Sequence, residues 1–136
     1  MGFELHPQLA ADTIQIRDEG DLLLLMMNDR QYPWFIVVPK QENVTEWHDL
    51  PQPMQVRLHL YCVELGQAIA QSFGSTKINT AALGNMVSQL HVHVIGRQQQ
   101  DPAWPKPVWG LTPPVPMDAK ELETRSNTLC QCLASR

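Results

Sequence analysis

Hydrophobic and polar positions follow two periods along this chain. Thr13-Ile14-Gln15-Ile16-Arg17 alternates polar with apolar, the period of a half-buried β-strand. After a polar turn at Asp18–Asp21, Leu22–Met27 is apolar throughout and reads as a strand buried on both faces. The polar loop 28–33 leads to a third strand, Trp34–Val38, which Pro39 stops. Three strands joined by short polar loops predict an antiparallel meander. The period then changes. Beyond a polar connector at 41–53, Leu58, Cys62, Leu65, Ile69 and Phe73 recur every three or four residues, which predicts one long helix over Met54–Phe73. Gly74 is the expected helix stop. A fourth strand is predicted at Lys77–Ala82 and a fifth at Ser88–Arg97. Residues 1–12 read as an N-terminal extension, with a short helical turn over Leu5–Ala11.

Residues 98–136 differ in character. Six prolines stand between 102 and 116, at 102, 105, 107, 113, 114 and 116. That density argues against regular helix or sheet and predicts an extended, stiff path. Asp118, with Glu121 three residues on, predicts a capping box opening a last helix at Ala119–Leu133. The expected architecture is a single α+β domain over 1–136: an antiparallel sheet of about five strands, one long helix and a C-terminal helix.

With 136 residues and 43% hydrophobic content, the chain can bury one core. A formal charge of −4 and the lack of a basic run argue against binding nucleic acid. The apolar run 22–27 is too short to span a membrane. Cys62, Cys130 and Cys132 have no framework spacing, and a reducing cytoplasm is the simplest reading.

The candidate chemistry lies on the predicted fifth strand. In Gln89-Leu90-His91-Val92-His93-Val94-Ile95, alternation puts Gln89, His91 and His93 on one face and Leu90, Val92 and Val94 toward the core. Three groups able to exchange protons or hydrogen bonds would thus stand in a row. The plain reading of such a row is a polar sheet face in solvent. A second is a metal site using His91 and His93, although no spacing supplies a third ligand. Upstream, Asn79 and the Gly84-Asn85 turn add small and amide-bearing residues.

Residues 79–97 resemble the signature of the histidine triad (HIT) family of nucleotidyl hydrolases and transferases. That signature is three histidines alternating with apolar residues, preceded by a Gly-Gln turn and, further back, an Asn. Gln89 falls on the first histidine, His91 on the middle one and His93 on the third; Asn85 replaces the Gln after Gly84, and Asn79 matches the upstream Asn. The resemblance covers roughly Leu22 to Arg97. It implies a nucleotide small-molecule substrate, attack on an α-phosphate by His91, and a hydrogen bond from His93 if protonated. Gln89 would orient, while Asn79, Gly84 and Asn85 would steady the developing charge. It also implies a ribose contact from Asn28, a homodimer, and neither cofactor nor metal. If the first position orients, Gln89 preserves its role; if it carries a proton, activity is low and the chain is a nucleotide-binding module with little catalysis. The leaving group stays open. Trp104 and Trp109 are expected either to wall the nucleotide pocket or to strap apolar surface elsewhere.

Overall fold

The computed structural model describes residues 2–134. The elements run α1 (Pro7–Asp12), β1 (Thr13–Asp18), β2 (Leu22–Met27), β3 (Trp34–Pro39), α2 (Gln52–Phe73), β4 (Lys77–Ala81), β5 (Val92–Arg97) and α3 (Ala119–Ala134). The strands form one antiparallel sheet in the order β1-β2-β3-β5-β4. This is the α+β architecture the periodicity predicts.

Both faces of the sheet are covered, so β2 and most of β3 lack a polar side. On one face, Leu24, Met26, Phe35, Val37, Val92 and Val94 pack against Leu58, Leu65 and Ile69 of α2 and Leu129 of α3. On the other, Leu23, Leu25, Trp34, Ile36 and Ile95 are covered by Leu9 of α1 and by Ala103 and Val108 of the proline-rich segment. Helix α2 ends at Gly74 in the left-handed conformation, φ 66°. β5 runs close beneath it: a Cβ at Gly96 would run into Ser75, Ile69 and Pro33. Asp118 and Glu121 form the expected reciprocal capping box, Glu121 N–H to Asp118 at 2.8 Å and Asp118 N–H to Glu121 at 3.0 Å.

Three expectations need correction. The fifth strand is predicted from Ser88 but begins at Val92. Its last pairs are Val37↔Val92 with β3 and Ala81↔His93 with β4; β4 ends there, and β3 runs on to Pro39 paired with β2 alone. Gln89 sits at a bend and neither it nor His91 pairs with a neighbouring strand, so they are not members of a ladder. The fourth strand stops one residue early, at Ala81. The proline-rich segment is not an extended strap: residues 100–112 form successive turns, with Trp104 N–H bonded to Asp101 O and Lys106 N–H to Ala103 O. Proline suits the second position of such turns as well as it suits an extended chain.

Candidate active site

Where the pairing of β5 with β3 and β4 stops, at Val92 and His93, the structure opens into a cavity of about 480 Å³. His91, His93, Gly84, Asn85, Val87 and Trp109 line it, and Gln8, Leu9 and Asp12 of α1 form a further wall. The volume is of the size that encloses a small ligand. Both imidazoles are buried, at 6% and 5% exposure, which excludes the plain reading of a polar row in solvent. Their ring centroids are 4.9 Å apart and the rings are edge to face.

Each ring has one nitrogen committed. His91 Nδ1 lies 2.7 Å from the Gln89 main-chain carbonyl. A carbonyl only accepts, so Nδ1 carries the proton and Nε2 keeps its lone pair. His93 Nδ1 accepts a hydrogen bond from the Trp34 indole N–H at 3.0 Å. An indole only donates, so here the proton sits on Nε2. Burial, together with the neighbouring His91, pushes the His93 pKa down to about 3. His93 is therefore a neutral donor, not the protonated one the resemblance offered. The two rings present opposite faces of hydrogen-bond chemistry to the cavity: a lone pair at His91 and an N–H at His93.

Gln89 contributes through its backbone. Its side-chain amide is spent on the N-terminal segment, with Nε2 donating to Glu4 O at 2.8 Å and Oε1 accepting from His6 N–H at 2.8 Å. Gly84 and Asn85 line the cavity. Asn79 does not. It pairs with Ile95, two residues along β5 from His93, and its Oδ1 accepts from the buried Arg97 at 2.8 Å. Asn28 lies in an adjoining cavity of about 390 Å³ that shares Asp12, Met27 and Trp109 with the first. Its Oδ1 accepts from Met117 N–H at 2.8 Å. Both asparagines thus spend their acceptors on the chain's own groups.

Trp109 stands 5.1 Å from His93 and 5.9 Å from Trp34, ring to ring. Trp104 instead covers the Arg97 guanidinium at 5.6 Å. Trp34 and the α1 wall are the parts that sequence reasoning missed. A tryptophan opening a strand looks like core, and nothing in residues 1–12 signals a cavity 80 residues downstream. Among the described residues, no group of three His, Cys, Asp or Glu could hold a metal ion, and no helix is long and apolar enough to cross a membrane.

The HIT domain family model matches residues 8–100. The chain belongs to the HIT domain family. No curated protein matches it by sequence. Among solved structures, this HIT domain resembles a histidine triad protein from Marinobacter aquaeolei VT8, at 42% identity over 99% of this chain and 98% of that one, with a TM-score of 0.95. A histidine triad protein from Bradyrhizobium japonicum matches at 37% identity over 98% and 99% of the two chains, TM-score 0.94. The diadenosine triphosphate hydrolase of Plasmodium falciparum shares the fold at 13% identity, covering 99% of this chain and 86% of that one, TM-score 0.68.

Proposed function

We propose that this HIT domain is a hydrolase or transferase acting on the α-phosphate of a nucleotide conjugate through a nucleotidyl-histidine intermediate. The observation that carries this is the 2.7 Å contact from His91 Nδ1 to Gln89 O, which leaves Nε2 as a buried lone pair facing the cavity. In the first step the Nε2 lone pair forms a bond to the α-phosphorus. The bond from phosphorus to the leaving group breaks, and its electron pair departs with that group. The His91 ring, now cationic, keeps its Nδ1–H on the Gln89 carbonyl. His93 donates from Nε2 to a phosphoryl oxygen as charge builds there, a role for a fixed donor. Water then attacks phosphorus and gives up a proton to solvent, from which the departed group takes one; the P–N bond returns its pair to Nε2, and the mononucleotide leaves. The conjugate is of the dinucleoside polyphosphate or nucleoside phosphoramidate type.

Gln89 favours a second reading. Its amide cannot carry a proton and is fully engaged with Glu4 and His6, so the chain could bind nucleotide with little turnover. Incubation with a nucleoside phosphoramidate and with a dinucleoside polyphosphate, in EDTA, separates the readings. Product, with a nucleotidyl mass on the peptide containing His91 after acid-free quenching, supports the enzyme. Nucleotide binding without product supports the binding module. Turnover abolished by EDTA and restored by metal would instead support a metal enzyme. The reading also carries a homodimer, for which Val56, Leu60 and Val63 are motivation: they stand at i, i+4 and i+7 on α2 and are each more than half exposed. Sedimentation equilibrium tests it. Three cysteines with no framework spacing fit a cytoplasmic setting.

A further inference from the structure

We infer that Trp34 is a positioning residue that holds His93 as its Nε2–H tautomer and so fixes which atom His93 offers to the substrate. The role in turnover rests on the function proposed above; the tautomer itself does not. Trp34 opens β3 and His93 lies on β5, in the next strand, where it pairs with Ile36. The two side chains share the face lined by Trp109. The indole N–H reaches His93 Nδ1 at 3.0 Å, and both groups are buried, Trp34 at 7% and His93 at 5% exposure. Trp109 closes the remaining side, edge-on to both rings.

A neutral imidazole free in water exchanges its two tautomers. Here only one satisfies the indole. The other would bring the His93 Nδ1–H against the Trp34 N–H and leave both donors without an acceptor in a buried place. The indole therefore acts at a distance from the cavity: it sets the proton on the opposite nitrogen of the ring. No hydrogen bond from His93 Nε2 is formed within the described residues, and the ring lines the cavity, so that proton is available to a ligand. Without the indole, part of the population would turn a lone pair toward the phosphoryl oxygen. Lone pair against oxyanion is repulsive, so the loss falls on the step in which charge develops and not on ground-state binding.

The test uses the full chain with ¹⁵N-labelled histidine. Long-range ¹H–¹⁵N correlation at pH 7.5 reads the tautomer of His93, assigned by its absence in His93→Gln. The expected result is Nε2–H in the wild type and a mixture in Trp34→Phe. Benzothienylalanine at position 34 keeps the size of the indole and removes only its N–H; it serves if the Phe variant does not fold. Turnover of a nucleoside phosphoramidate should fall about tenfold in kcat, with KM within about twofold. An Nδ1–H tautomer in the wild type overturns the inference, as does an Nε2–H population unchanged in the isosteric variant. A protein that turns over no substrate leaves the tautomer measurement intact, so failure of the proposed function and failure of this inference are read separately.

Discussion

His91 and His93 differ in one residue each of support: a carbonyl for the first, an indole for the second. Removing the His91 ring removes the only lone pair aimed at the cavity from the histidine pair. His91→Ala should lower nucleotidyl transfer by several orders of magnitude, about 10³-fold or more, with circular dichroism and melting near wild type. A variant keeping a tenth of the rate would sink the mechanism. At this scale the sequence was half legible. The alternation of histidines with valines locates the pair, because a side chain's face follows from its place in an extended chain. It cannot say where an acceptor or donor goes. Asn79 reads the same in sequence whether its carbonyl meets a ligand or Arg97, and Trp34 reads as core until its indole nitrogen is seen beside His93.

The elements around the site were placed better than their ends. Ser88–His91 alternates polar with apolar residues as a strand does; only the point at which pairing with β3 and β4 stops, set by residues far away in sequence, decides that it is not one. The same lead-in carries Gln89, whose amide ties residues 4 and 6 and so holds the segment that delivers α1 to the cavity wall. Gln89→Ala breaks both bonds. The expected cost is about 1–3 kcal/mol, read as a lower melting temperature, together with faster amide exchange at His6. The family residue at this position predicts little change or a gain in rate for Gln89→His. The clamp predicts a rise in KM instead, since a shorter, differently forked side chain cannot span Glu4 O and His6 N–H together. An unchanged KM and unchanged exchange at His6 would mean that the clamp is dispensable. At the other end, Asp118→Ala should cost about 1 kcal/mol through loss of the N-cap, measured by urea unfolding.

For the molecule as a whole, the class, the strand count and the two longer helices, α2 and α3, follow from periodicity and capping, whereas the covering of the second face does not, because prolines and turns carry no period. That cover hangs on Arg97. Its guanidinium grips Asp101 at 2.7 and 2.9 Å, and both side chains are nearly buried. Burial raises the Asp101 pKa, but Arg97 and the Gln98 and Trp104 N–H groups outweigh it, and the net shift is down. The stabilisation is therefore present above the unfolded carboxylate pKa, about 3.9, and is lost as pH falls through the lower folded value. Melting curves from pH 6 to pH 2 should lose more stability in the wild type than in Asp101→Asn. Tryptophan emission checks the same cover from the ligand side: nucleotide should quench it, Trp109→Phe should remove most of the response, and Trp104→Phe should keep it. The reverse pattern would put the ligand elsewhere. The clamp at Gln89 also has a consequence in time. Glu4 and His6 are 85 and 83 residues from their partner. At about 5–20 residues per second, they leave the ribosome roughly 4–17 s before Gln89 does. During synthesis α1 can settle on β2 early, through Leu9 and the Asn28 N–H bond to Asp12 O, while residues 4–6 wait for Gln89, and this tie to the histidine segment closes late.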